Sequence, residues 1–236
     1  MSEVLCARIA AVTELRVATL NILMGGRRGE PLHEGVRTMA PDVLLVNESP
    51  KLPLLWRRRC ELLATRWGLR FVGGGRPAGS NMVLVRPGIR LEGVRSRTLR
   101  IPPLMPRRGI VAVQLRVDGK LFGAISCHLS LTPEARVREV EEVLAEASRL
   151  RGPVVVGGDL NERPNGPSWA RFRQAGFADH GTGHWRTFPV EEPGRRIDAL
   201  LVRGPVRVLH HGDPGVPEGL QVAASDHRAV LAVLTI

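Results

Sequence analysis

The sequence predicts an α/β (α+β) protein in which a mixed sheet, or a pair of sheets, is flanked by helices. Three observations predict it. Strand-like segments outnumber helical ones, a tight Asp-Gly turn joins two of the strands as a hairpin, and helical stretches separate others. A purely parallel doubly wound sheet does not accommodate that hairpin.

Eight segments read as strands: "LRVATLNIL" (15–23), "DVLLVNE" (42–48), "NMVLVRP" (81–87), "GIVAVQLRV" (109–117), "LFGAISCHL" (121–129), "PVVVGGD" (153–159), "RIDALLVR" (196–203) and "RAVLAVLTI" (228–236). Each is a short run rich in β-branched or large apolar residues. "VDGK" (117–120) is the hairpin turn. A helix is predicted in "LTPEARVREVEEVLAEASRL", with Thr132 as N-cap, Pro133 at the first helical position, and Val137, Val140, Val143, Leu144, Ala147 and Leu150 at helical spacing. Its exposed side reads as mostly charged. A second helix covers 52–67, and a short one follows Pro167 through "SWARFRQAG".

The 236 residues can bury a substantial core, and no linker or composition shift divides them, so a single domain over 1–236 is expected. Hydrophobic content is 43%, and no segment approaches the ~20 apolar residues of a membrane helix. The opening "MSEVLCARIAAVTELRV" carries Glu3, Arg8 and Glu14 and lacks a signal-peptide pattern, which makes the cytoplasm the expected location. Cys6, Cys60 and Cys127 are odd in number, widely spaced and without a C-x-x-C pair, arguing for reduced thiols over disulfides or a zinc ribbon. The formal charge of +11, nearly all of it arginine, points to polyanionic partners, nucleic acid first and anionic lipid second. A solvated basic surface is the alternative.

Polar residues collect at the ends of the strands: Asn21, Glu48, His128, Asp159 with Asn161, Asp198, and Asp226 with His227. Burying that many ionisable groups separately is costly, so they are expected to share one site. "VVVGGDLNERPN" is the sharpest case. Gly157-Gly158 permits a turn or close approach, and on extended chain Asp159 and Asn161 point to the same side. Local turn-capping is the competing reading of this pair. Oxygen donors without clustered cysteine or histidine suit a hard cation, Mg²⁺ or Mn²⁺. No G-x-S-x-G elbow surrounds Ser80, Ser126 or Ser225, which counts against a serine triad. A Cys127-His128 dyad is weak, because neighbours on a strand face opposite ways.

The ordered series "TLNIL", "PDVLLVNES", "SCHLS", "VVVGGDLNERP", "RRIDALLV" and "SDHRAVLAVL" resembles the endonuclease/exonuclease/phosphatase (DNase I-like) superfamily, from residue 16 to the C-terminus. The resemblance implies a four-layer sandwich of two packed mixed β-sheets with helices outside. It also implies a metal-dependent phosphoester hydrolase, a Mg²⁺-dependent nuclease before a phosphatase or phosphodiesterase of lipid or small phosphorylated substrates. A catalytically silent binding module is the remaining class, and a monomer is expected.

Carried over by position, Glu48 would be the principal metal ligand, with Asn21 and Asp226 near the same ion. Asp159 would orient or deprotonate the attacking water, Asn161 would donate to the phosphate, and His227, held by Asp198, would contact it. His128 matches the family's "HL" histidine. Whether Asp159 or His227 is the base stays open. Asn47 stands where the family usually has glutamine, and the chain has no tyrosine, so a phosphate-binding tyrosine is absent. Asn81 is the candidate substitute, or a turn cap. For substrate contact the candidates are Trp185, Arg186 and Arg195, in "GTGHWRTFPVEEPGRR" (181–196), with a second arginine-bearing loop at 98–109. Trp185 could equally be core, and Thr187 structural.

Overall fold

The computed structural model describes residues 13–99, 106–181 and 184–236. Cys6, the N-terminal segment through residue 12, Arg100 and part of both arginine-bearing loops lie outside the described residues.

Two mixed six-stranded sheets pack face to face with helices on their outer sides, the four-layer arrangement. The strands are β1 (Glu14–Asn21), β2 (Val43–Asn47), β3 (Arg70–Gly75), β4 (Asn81–Val85), β5 (Arg90–Thr98), β6 (Gly109–Val117), β7 (Lys120–His128), β8 (Val154–Asp159), β9 (Ala178–Asp179), β10 (Asp198–Arg203), β11 (Arg207–Gly212) and β12 (Val230–Thr235). The helices are α1 (Gly29–Met39), α2 (Trp56–Arg66), α3 (Pro133–Ala147), α4 (Pro167–Gln174) and α5 (Glu218–Ala224). The first sheet runs β11-β12-β1-β2-β4-β3 and the second β5-β6-β7-β8-β10-β9. Pairing is parallel between β1 and β2 and between β7 and β8, and antiparallel elsewhere.

The period-two alternation of the strands explains the layering. Val17, Val43, Leu45 and Val83 of the first sheet meet Val111, Val113, Val155 and Leu200 of the second in the central core. The intervening residues Ala18, Leu44, Val46 and Met82 face outward onto Leu32, Val36 and Met39 of α1 and onto α2 and α5. On the second sheet, Ile125, Cys127, Val156 and Leu201 pack under Val140, Val143, Trp169 and Phe172 of α3 and α4. Strands buried on both faces read as continuous apolar runs for this reason.

All eight expected strands and three expected helices are present, with ends shifted by a few residues. Asp118 and Gly119 both have positive φ, as the hairpin turn between β6 and β7 requires. Thr132 occupies the N-cap of α3 without a side-chain cap bond. The exposed side of α3 is mostly charged, as expected, with Glu134, Arg138 and Glu141 in solvent, while Arg136, Glu139 and Glu146 are buried. Arg136 pairs with Glu162 at 3.0 Å, and Glu139 accepts the backbone N–H of Ser130 at 2.7 Å, so these charges tie α3 to the loops that follow β7 and β8. Among the described residues, no helix is long and apolar enough to cross a membrane.

Candidate active site

Strand register builds the centre of the site. His128 at the end of β7 pairs with Asp159 at the end of β8, and Asp159 pairs with Asp198 at the start of β10. Three neighbouring strands thus set three polar side chains in a row. Arg108 joins them from the next position, since Gly109 of β6 pairs with His128. The first sheet supplies Asn21 and Asn47, adjacent across β1 and β2, and Glu48 immediately beyond.

Asn47 stitches the sheets together beneath this row. Fully buried, it donates to Cys127 O at 2.9 Å and Asn81 Oδ1 at 2.7 Å, and its Oδ1 accepts the N–H of Asp159 at 2.8 Å. Gly158 makes that approach possible: with φ of 142°, a Cβ there would lie 1.8 Å from Cys127 O and 3.0 Å from Asn47 Oδ1.

Asp159 and Asn161 do line one cavity, but not because the chain stays extended. Asn161 has φ of 51°, and its N–H donates to Asp159 Oδ1 at 2.9 Å. The turn-capping geometry and the shared pocket are one feature. The Asn161 amide also donates to Leu129 O at 2.9 Å, which orients it.

Arg108 Nη1, which can only donate, lies 3.2 Å from His128 Nδ1, while Nε2 lies 3.1 Å from the Asn161 amide nitrogen and 3.3 Å from Asp159 Oδ2. Burial, reinforced by Arg108 and His227, holds this imidazole well below its usual pKa, hence neutral. His227 behaves oppositely. Burial disfavours its charged form, yet Asp198, 2.8 Å from Nδ1, together with Asp159 and Asp226, pushes it up to about 9. Asp159 itself is pushed upward by burial and by the Asp198 charge, against the pull of His227 and Arg108. Thr187 Oγ1 accepts the N–H groups of Ile197 and Asp198 at 3.2 Å, fixing the start of β10. The structural reading of Thr187 therefore holds. Phe188 packs on the His227 ring at 4.7 Å, and Arg195 stacks over Phe188 at 4.7 Å.

A cavity of about 310 Å³ is lined by Glu48, Arg108, His128, Asp159, Asn161, Phe188, Arg195 and His227. Glu48 therefore shares a common wall with Asp159 and His227. It sits at φ of 54°, a conformation costing roughly 1–2 kcal/mol for a non-glycine residue, and its backbone is pinned by Met24 N–H at 2.7 Å. Asn21 is buried and donates Nδ2 to Glu48 Oε1 at 3.2 Å. That contact orients the carboxylate. Asp226 lies on the loop leading to His227, half-buried, and accepts from Ser225 Oγ at 3.3 Å.

These donors fit a hard divalent cation. Glu48, Asp226 and the Asn21 amide are oxygen-bearing groups. Asp159, Asp198 and His227 bring ligand atoms within 4.8 Å of one another, and the buried Asp198 Oδ1 has no hydrogen-bond partner among the described residues. The His227 ring already bridges that second cluster, so Glu48 is the better anchor for an ion.

Three substrate-contact expectations need correction. Asn81 is fully buried, and its amide is consumed by Ala78 O, Gly109 O and Asn47, so it is scaffold. Trp185 donates to Ala229 O at 2.8 Å, packs on the edge of the central core and lines a separate depression with His210 and His211. Arg186 is exposed and lines neither cavity at the site. Only Arg195 of this group reaches the cavity. Sequence reasoning missed Arg108, although the arginine-bearing loop before β6 was visible; its contact with His128 arises from strand register, which the sequence does not display.

The profile of the Endonuclease/Exonuclease/phosphatase family matches residues 18–227. No curated protein sequence matches the chain significantly. Among solved structures, an endonuclease/exonuclease/phosphatase from Bacteroides vulgatus is similar with a TM-score of 0.77 at 18% identity, covering 94% of this chain and 98% of that one. A mannosyl-6-phosphatase from Bacteroides thetaiotaomicron gives a TM-score of 0.72 at 18% identity, over 94% of this chain and 100% of that one. D. rerio TDP2 complexed with a single-strand DNA product gives 0.71 at 16% identity, over 95% and 100% of the two chains. At these identities the likeness establishes the fold.

Proposed function

This chain belongs to the endonuclease/exonuclease/phosphatase family of phosphoester-cleaving hydrolases, and from that premise we propose that it is a Mg²⁺- or Mn²⁺-dependent nuclease, hydrolysing a phosphodiester by in-line attack of water. One observation carries the reading: His128, Asp159 and Asp198 stand in register on three adjacent strands, with His227 between the two acids, in a cavity that Glu48 also lines.

Asp159 orients the attacking water and accepts its proton. Asn161, fixed by its turn and by Leu129 O, donates to a phosphoryl oxygen. His227, kept protonated by Asp198, donates to the phosphate or to the departing oxygen. Neutral His128 sets its Nε2 beside Asp159 and the Asn161 amide, while Arg108 backs its other nitrogen. Preorganised donors of this kind each contribute about 10²–10³ in kcat. A divalent cation held by Glu48, with Asn21 and Asp226 supporting, would neutralise charge on the phosphoryl oxygens when bound.

The net charge of +11 supports a polyanionic substrate. Withdrawal of Trp185 from the site removes the expected base-stacking tryptophan and favours, as a second reading, a phosphatase or phosphodiesterase of lipid or small phosphorylated substrates. The test is hydrolysis of plasmid DNA, single-stranded DNA, RNA and small phosphoesters, with and without EDTA. EDTA-sensitive nicking or shortening of nucleic acid is the expected result. Turnover of small phosphoesters alone would select the second reading, and no turnover with any substrate would reject both.

A further inference from the structure

We infer that a basic cleft adjoining the candidate active site binds a second phosphate of the substrate, one that is held and not cleaved. The cleft, about 410 Å³ in volume, is lined by Lys51, Arg76, Arg107 and Arg108. Glu48, Arg108 and His128 belong both to it and to the catalytic cavity, so the two are continuous. A bound molecule can occupy both at once.

The cleft carries four cations against one lining carboxylate, Glu48. Several arginines elsewhere pair with acids, as in Arg57–Glu61, Arg136–Glu162 and Arg171–Glu141. None of the four cleft cations makes an ion pair among the described residues. Arg108 is only 8% exposed, and the charges of Asp159, Glu48 and Glu139 act on it without forming an ion pair. Its burial fixes it where the two compartments meet, and Lys51 is close enough to His128 to influence it.

The backbone carrying Arg76, Arg107 and Arg108 is also fixed. Arg76 opens a 3-10 turn (Arg76–Ala78), while Arg107 and Arg108 lead into β6. The two segments are clamped backbone to backbone: a Cβ on Gly79 would lie 2.3 Å from the Arg108 carbonyl carbon, and one on Gly109 would lie 2.2 Å from that of Ala78. A cluster of guanidinium and ammonium groups on fixed backbone suits a multivalent oxyanion, which several donors can engage at once. Contiguity with a phosphoester site makes phosphate the matching anion. Its source would be the neighbouring backbone phosphate of a nucleic acid or a ring phosphate of an inositol headgroup.

The inference rests on the phosphoester reading for the identity of the ligand, but its test needs no turnover. Calorimetry in EDTA would compare thymidine 3′,5′-bisphosphate with thymidine 5′-monophosphate, and inositol 1,4-bisphosphate with inositol 1-monophosphate. The wild-type protein should bind the bisphosphate of at least one pair about tenfold more tightly, equivalent to about 1.4 kcal/mol. That preference should fall toward unity in Lys51→Ala/Arg107→Ala and in Arg76→Ala, whose altered side chains are exposed and whose folding circular dichroism checks. The pair that shows the preference identifies the source. Bisphosphate binding no tighter than monophosphate in both pairs, or a preference undiminished in folded variants, would overturn the inference whether or not the protein hydrolyses anything.

Discussion

Asp198 Oδ2 lies 2.8 Å from His227 Nδ1, and both side chains are buried. The acid fixes the ring and stabilises its protonated form, leaving Nε2 directed toward Asp159 Oδ2 at 3.8 Å. Asp198→Asn keeps the volume but removes the charge. Turnover of a minimal phosphodiester such as bis(p-nitrophenyl) phosphate should fall by about 10²–10³, mainly in kcat, because the lost stabilisation belongs to the transition state. Kinetics on a variant shown by circular dichroism to be folded would check this. Near-native kcat would remove the Asp198–His227 pair from the mechanism.

Asn47 is a shorter amide where its family usually carries glutamine, and the structure gives the shorter side chain a specific task. It satisfies Cys127 O, Asn81 Oδ1 and the Asp159 N–H at once, in a fully buried gap between the sheets. Asn47→Gln adds a methylene to that gap and should destabilise by about 1–3 kcal/mol through overpacking. Asn47→Ala leaves several buried groups unpaired, at about 1–3 kcal/mol each. Urea denaturation measures both. An unchanged midpoint for Asn47→Gln would mean the gap is larger than it appears.

Much of this was readable from the chain. Runs such as "VLLVN" and "VVVGGD" are buried on both faces, so composition alone marks them as strands. The strands that escaped notice differ physically. β5 and β11 are edge strands whose residues are mostly exposed or half-buried, β3 ends in three glycines, and β9 is two residues long. Pairing with a neighbour makes them strands. α1 escaped because Gly29, Pro31 and Gly35 interrupt a sequence whose Leu32, Val36 and Met39 are nonetheless spaced for one face, and α5 has only seven residues. Within the site, strand-end acids and histidines announced themselves by standing against apolar runs. Arg108, Lys51 and Arg76 stand on loops, where an arginine looks like any surface charge until topology brings three loops together.

His33 gives a stability test remote from the site. It is buried on α1, and Trp67 Nε1 donates to its Nδ1 at 2.7 Å, an arrangement that needs an unprotonated acceptor. Burial, with Arg66 and Arg37 nearby, lowers its pKa from the ordinary 6.5. The sign follows from linkage: the unfolded chain binds a proton at His33 that the folded chain refuses. The contribution is complete above about pH 6.5 and diminishes as pH falls through that value toward the folded-state pKa. Between pH 7.5 and 5, wild type should therefore lose more stability than His33→Gln, measured by urea midpoints. Parallel losses in the two proteins would show that His33 is not the group responsible.

Metal binding should be visible without any substrate. Glu48 is half-exposed, held by Asn21 Nδ2 at 3.2 Å and by a strained backbone at φ of 54°, so its carboxylate is set before an ion arrives. A ligand that binds only the folded state raises stability by mass action, by about 2.7 kcal/mol at a hundredfold excess over its Kd. Titration with Mg²⁺ or Mn²⁺ should accordingly raise the melting temperature of the wild-type protein, with EDTA reversing the effect. Glu48→Gln keeps the shape and the hydrogen-bonding capacity but removes the charge, so its melting temperature should respond weakly or not at all. An equal shift in wild type and Glu48→Gln would place the ion elsewhere, and the Asp159–Asp198–His227 cluster would be the next position to test by the same titration in Asp159→Asn.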